Sequence, residues 1–161
     1  MDPFAYLGSC VPRCDVPCSV MPIVLFVHLT WKTFRNMPMI GPSEARFLER
    51  FLPAEAQRHG VAVLALGMVR DHVHMVVRLP SRIDLPRLAQ GLKGASARLI
   101  NKEQRLSSTG IRWATGYSAY SVSRRNLKAA IQYVRDQSTR HPDRAIPKKR
   151  EESVAPGTLR D

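Results

Sequence analysis

Two apolar runs joined by only two residues constrain this chain more than any other feature. Residues 61–69 are apolar almost throughout, residues 72–79 alternate, and Arg70 and Asp71 alone lie between them. A link that short forces an antiparallel hairpin. The first run has the unbroken apolarity of a central strand. Residues 23–31, rich in β-branched and aromatic side chains, predict an earlier strand. After a loop over residues 35–42, Ser43 is placed to cap a helix over 44–59, with Phe47, Leu48, Phe51 and Leu52 at helical spacing. Pro53 is placed to kink that helix and Gly60 to end it. Asp84 caps a second helix whose buried stripe is Leu85, Leu88, Ala89, Leu92, Leu99 and Ile100. Residues 111–122 read as extended, and Ser123 caps a third helix running to about 139.

The order is therefore βαββαβ followed by a helix. That is the ferredoxin-like, RRM-like α+β pattern: an antiparallel four-stranded sheet with two helices on one face and the other face open. The expected organisation is a tail over 1–22, one domain over 23–141, and a basic tail over 142–161. Met21 is a candidate start, which would make residues 1–20 an extension. That stretch does not read as a signal peptide, because no basic region precedes the apolar segment that follows it. Cys10, Cys14 and Cys18 predict neither a disulfide framework, being odd in number, nor a zinc site, lacking a fourth ligand nearby.

Composition decides the class of partner. Hydrophobic residues make up 44%, enough for a packed core, and no apolar run approaches the ~20 residues that span a bilayer. Lys and Arg total 25 against 13 Asp and Glu, a net charge of +12 that attracts polyanions. Nucleic acid is the first candidate partner and an anionic membrane surface the second.

Sites narrow this further. Along residues 72–79, Val73, Met75, Val77 and Leu79 point to one face, and His72, His74, Val76 and Arg78 to the other. Two imidazoles two residues apart on one strand are ~7 Å apart at the backbone, close enough to share a metal ion. A pair of polar residues on a solvated face is the alternative. Arg78 is placed on the same face to hold a phosphate. On the last helix, Leu127, Ala130, Ile131 and Val134 form the buried stripe. Tyr133 stands about 110° from its middle and Gln137 about 70°, on the same side, one turn apart. A phenol beside a carboxamide suggests a nucleophile next to a neutral oxygen ligand; a surface tyrosine with an incidental neighbour is the alternative. Tyr117 and Tyr120 are rival phenols in a strand region, without a polar residue one helical turn away. Lys93, Arg98 and Lys102 on the second helix, and Arg112, Arg124, Arg125, Lys128 and Arg135 around the last strand and helix, are candidate phosphate contacts. Trp113, Tyr117 and Tyr120 are candidate stacking partners for bases, Trp113 reading more as core. His28 reads as structural, and His59 and His141 as exposed helix-end residues.

In order along the chain, these pieces resemble the HUH single-tyrosine transposases. They are His28-Leu29-Thr30-Trp31-Lys32-Thr33, Asp71-His72-Val73-His74-Met75-Val76-Val77, Leu92-Lys93-Gly94, Trp113-Ala114-Thr115-Gly116-Tyr117, Ser121-Val122-Ser123 and Tyr133-Val134-Arg135-Asp136-Gln137. Both the insertion-sequence type and its REP-associated relatives are similar, the latter more so from the His-Leu-Thr-Trp opening and the compact length. The resemblance implies a divalent metal, Mg²⁺ or Mn²⁺, held by His72 and His74 with Gln137 as third metal-facing residue. It implies Tyr133 as nucleophile, cutting and rejoining single-stranded DNA near hairpins through a 5′-phosphotyrosine link. It also implies a cytoplasmic, nucleoid-associated bacterial protein, monomeric or homodimeric. A neutral ligand set of this kind leaves DNA phosphate to complete the shell. The alternatives are a non-catalytic hairpin-binding protein of the same fold and an RNA-binding module.

Overall fold

The computed structural model describes residues 23–102 and 110–147. The three cysteines, the expected tail over 1–22 and most of the polar loop around 104–110 lie outside the described residues. Four strands, β1 (Leu25–Lys32), β2 (Ala62–Val69), β3 (His72–Leu79) and β4 (Ser118–Val122), form one antiparallel sheet in the order β2-β3-β1-β4. Helices α1 (Pro42–Arg58) and α2 (Leu85–Lys102) follow β1 and β3. This is the ferredoxin-like arrangement that the sequence predicts. Among the described residues no helix is long and apolar enough to cross a membrane.

The main core lies between the sheet and α1 and α2. Leu29 and Trp31 of β1 and Val73, Met75, Val77 and Leu79 of β3 meet Leu48, Leu52, Leu88, Leu92 and Ile100. The alternation expected along β3 is therefore realised. Local chemistry explains the helix ends. Gly41 is the N-cap of α1, and its N–H donates to Glu44 Oε2 at 3.0 Å. Ser43 thus lies inside the helix rather than capping it. Pro53 is accommodated within an unbroken α1. Gly60, at φ 71°, supplies the left-handed residue that stops the helix. Asp84 caps α2 as expected, accepting from the Arg87 N–H at 3.0 Å.

Four expectations are corrected. β2 is an edge strand, not a central one. Its apolarity reflects coverage on both faces: α1 packs on one, and α3 (Leu127–Arg135) with α4 (Gln137–Arg140) on the other. For the same reason the second sheet face is not open throughout. A small cluster of Ala65, Val76 and Val134, with Leu64, Leu127, Ala130 and Ile131 against it, seats α3 over β2 and β3. Among the described residues the β1–β4 side of that face is left uncovered, and Tyr120 is exposed there. The extended stretch is shorter than expected, since residues 111–117 run irregularly beside β1, bridged at Thr33 and Trp113. Finally, residues 142–146, placed in the expected basic tail, pack against the domain. A 3₁₀ turn at Pro142–Arg144 brings Arg144 back to the hairpin, where its carbonyl accepts from the Arg70 N–H at 2.9 Å, and Ile146 packs on the main core.

Candidate active site

The pairing of β1 with β3 builds the centre. Thr30 lies opposite His74 and Lys32 opposite His72, so His28 and Thr30 share a face with both β3 histidines. The result is a row of imidazoles. The rings of His28 and His74 stack at 5.1 Å, those of His74 and His72 meet edge-on at 4.9 Å, and those of His72 and His141 at 5.4 Å. His72 and His74 are buried, not solvated: α3 packs over β3, Tyr133 lies against His74 and His141 against His72. Their Nδ1 atoms are engaged. Asp71 Oδ1 lies 2.7 Å from His72 Nδ1. His74 Nδ1 lies 2.9 Å from His28 Nε2 and 3.1 Å from Thr30 Oγ1. This leaves the Nε2 atoms as the candidate donors of the pair. Burial, then the charges that His72, His28 and His141 would carry, lower the His74 pKa to about 3. Burial also lowers that of His28. The His74 ring is thereby kept neutral, the state in which an imidazole can bind a metal.

The last helix does not run unbroken from Ser123 to 139. Ser123 Oγ accepts from the Asn126 N–H, a 3₁₀ turn leads into α3, and the backbone breaks at Asp136 before α4. Tyr133 and Gln137 therefore sit either side of a break, yet still meet. Gln137 Nε2 donates to the Tyr133 carbonyl at 2.9 Å, and its Oε1 is buried without a partner among the described residues. The Tyr133 ring stands edge-on 5.9 Å from the rings of both His28 and His74, and remains 37% exposed. The Arg140 guanidinium lies over it at 4.8 Å. The close seating of this segment depends on Gly67, opposite His74 on β2. A Cβ there would fall 1.8 Å from the Val134 carbonyl oxygen and 3.2 Å from Gln137 Cγ.

The residues fit a divalent ion. Among the described residues no three His, Cys, Asp or Glu side chains are disposed to hold a metal, so the candidate set is two imidazoles and an amide. An unsatisfied buried carbonyl costs ~1–3 kcal/mol, and the Gln137 Oε1 orphan is relieved if it serves as a ligand.

The proposed phosphate and base contacts divide between the two layers. Arg78 is exposed on the histidine face of β3, and Arg124, Arg125 and Lys128 are exposed at the start of the tyrosine segment. Lys93 and Arg98 lie on α2, which covers the opposite sheet face. The Lys93 ammonium is occupied by the Ala114 and Gly116 carbonyls. Arg112 stacks on Phe34 at 4.1 Å, and Tyr117 packs on the main core. Trp113 meets Trp31 edge-on and donates to Ser96 Oγ, so it is a core residue. Sequence reasoning missed His28, Thr30, His141 and Asp71 as members of the centre. The burial of Leu29 and Trp31 would have placed His28 on the β3 histidine face. For His141 no signal precedes the break at Asp136 and the 3₁₀ turn at 142–144.

Comparison with known proteins is consistent with this geometry. A family model for IS200-like transposases matches residues 24–137. The ISDra2 transposase TnpA of Deinococcus radiodurans is 30% identical over 117 residues, covering 68% of this chain and 81% of the relative. A solved structure of a candidate transposase from Deinococcus radiodurans R1 superposes with a TM-score of 0.58 at 24% identity, covering 80% of this chain and 96% of the other. A REP-associated tyrosine transposase, solved bound to a REP hairpin, superposes with a TM-score of 0.58 at 10% identity, covering 75% of this chain and 70% of the other. At these identities the two structures share the fold.

Proposed function

The chain belongs to the family of IS200-like, HUH tyrosine transposases, and from that premise we propose that it cleaves and rejoins single-stranded DNA beside hairpins, with Tyr133 as nucleophile. The observation that carries this reading is the Tyr133 ring, 5.9 Å from the rings of His28 and His74 although far from both in sequence. The Tyr133 oxygen attacks the scissile phosphorus. A 5′-phosphotyrosine bond forms, the bond to the 3′-oxygen breaks, and that oxygen leaves as a 3′-hydroxyl, so that on balance the proton the phenol gives up ends on the 3′-oxygen. The linkage conserves the phosphodiester energy, so a second 3′-hydroxyl can reverse the step and join a new partner. A phenolate is a far better leaving group than an alkoxide, its ordinary pKa being ~10.

His72, His74 and Gln137 would hold a divalent cation, Mg²⁺ or Mn²⁺, which when bound supplies Lewis-acid polarisation of a phosphate oxygen. Arg140 sets a fixed cation against the nucleophile's ring, and Arg124, Arg125 and Lys128 offer charge to the DNA backbone. Hairpin DNA is the substrate class favoured by the solved REP-hairpin relative. Action on such DNA implies work in the bacterial cytoplasm, at the nucleoid.

The test is incubation of the protein with Mn²⁺ and hairpin DNA carrying a single-stranded flank, followed by a denaturing gel. A covalent adduct that Tyr133→Phe removes, with hairpin affinity unchanged, is expected. Tight binding with no adduct would make the protein a hairpin binder only, and a preference for RNA would refute the substrate class.

A further inference from the structure

We propose that Asp71 and Arg144 are positioning residues that decide which nitrogen of His72 carries its proton. The proposal rests on the reading of His72 as a metal ligand and extends it to the residues behind the ligand. Asp71 is buried in the two-residue link of the hairpin, and each of its oxygens has a separate partner. Oδ1 lies 2.7 Å from His72 Nδ1, and Oδ2 accepts from Arg144 Nη1 at 2.9 Å. A carboxylate only accepts, so His72 Nδ1 must donate, and its Nε2 keeps a free lone pair. Arg144 is itself held from behind, because its carbonyl accepts from the Arg70 N–H and its own N–H donates to the His141 carbonyl at 3.0 Å. The rings of His141 and His72 also meet edge to face, at 5.4 Å. The segment following the tyrosine-bearing helices thus reaches the ligand through one carboxylate.

This relay makes the effect of an amide at position 71 depend on Arg144. In Asp71→Asn, Arg144 can only donate, so it draws the oxygen of the new amide toward itself. The amide NH₂ then faces His72 Nδ1, which must become an acceptor, and the proton moves to Nε2, where it blocks the metal. Substitution of an orienting carboxylate by its amide selects the wrong imidazole tautomer in the same way elsewhere. Removing Arg144 as well frees the amide to turn, so the second substitution should repair the first. A merely structural role predicts the opposite, that the two losses accumulate.

The experiment compares the full chain with D71N, R144M and the D71N/R144M double variant. Long-range proton–nitrogen spectra of ¹⁵N-histidine-labelled, metal-free protein at pH 8 report the His72 tautomer. Electron paramagnetic resonance titration reports Mn²⁺ affinity, and thermal melting confirms that each variant folds. The wild-type chain should show His72 protonated at Nδ1. D71N should move the proton to Nε2 and weaken Mn²⁺ binding by about tenfold or more. R144M alone, at a half-exposed site, should weaken it by no more than about fivefold. The double variant should regain Nδ1 protonation and bind Mn²⁺ more tightly than D71N. An unchanged tautomer in D71N, or a double variant no better than D71N, would overturn the proposal. Should D71N fail to fold, the folded chains decide: wild type and R144M both retain the Asp71 carboxylate and should both show His72 protonated at Nδ1, and a proton at Nε2 in either would refute the relay. A wild-type chain that binds no Mn²⁺ would remove the metal from the proposed function, while the nitrogen shifts still judge the positioning relay.

Discussion

Gln137 shows how a single side chain can be placed at a cost to the folded state. Its Nε2 is used by the Tyr133 carbonyl, and its Oε1 is buried with no partner among the described residues. Gln137→Met should therefore leave the metal-free protein within ~1 kcal/mol of wild type or more stable, while adduct formation falls by about tenfold or more. Parallel melts and adduct gels check this, and a large loss of stability would show that the amide is structural. His74 makes a second prediction, in pH. Its pKa is lowered to about 3 in the fold, and that of His28 moves the same way. Above the ordinary value of ~6.5 both states of each ring are neutral, and these groups add no pH dependence. Below it, the unfolded chain takes up protons that the folded chain refuses. The stability of the metal-free protein should therefore fall as pH drops from ~6.5 toward 3, by at most ~1.4 kcal/mol per unit for each such group. Melting temperatures at pH 7, 6 and 5 read this directly, and a flat profile would contradict it.

At the scale of elements, the decisive contact is between α3 and β2. The helix approaches so closely that only hydrogen fits at position 67, with the Val134 carbonyl oxygen where a Cβ would be. This is backbone meeting backbone, so no rotamer change relieves it. Gly67→Ala should push α3 and α4 off the sheet, lowering stability by ~1–3 kcal/mol. Adduct formation should fall by more than tenfold, because Tyr133 and Gln137 ride on the displaced segment. Hairpin affinity should fall far less, since Arg124, Arg125 and Lys128 precede the point of contact. Melts, gels and binding titrations on the one variant separate these effects, and wild-type adduct formation would show that the segment reaches the centre another way.

For the whole molecule, charge and layering act together. The net charge is +12, but the two faces of the sheet are not equivalent. Arg78, Arg124, Arg125 and Lys128 stand on the histidine side, whereas Arg98 lies on the layer formed by α2. A strand entering the site should therefore release counterions mainly from the first group. Replacing Arg124, Arg125 and Lys128 together by Ala should weaken hairpin binding. It should also reduce the slope of log K against log salt by ~0.7 for each single-strand phosphate no longer neutralised. Arg98→Ala should leave both nearly unchanged. Titrations at several salt concentrations check this, and equal effects of the two variants would mean that binding is spread over both layers.

Much of the fold was legible in the primary chain because its signals are local. The short link at Arg70 and Asp71 forced the hairpin, strand alternation set which β3 residues face the core, and helical spacing located α1 and α2. The candidate pair His72 and His74 was legible for the same reason, since two alternate residues of one strand share a face. Tyr133 and Gln137 were legible from one turn of helical spacing, although a break at Asp136 now separates their helices. What the primary chain could not determine was coverage and register. Neither the return of α3 over β2, which turns an apolar edge strand into a doubly covered one, nor the pairing that sets His28 and Thr30 beside His74, has a local signature. Nor has the turn that carries Arg144 back to Asp71. Those placements are made by contacts between residues far apart in sequence, whose free energy exists only once the sheet and helices have come together.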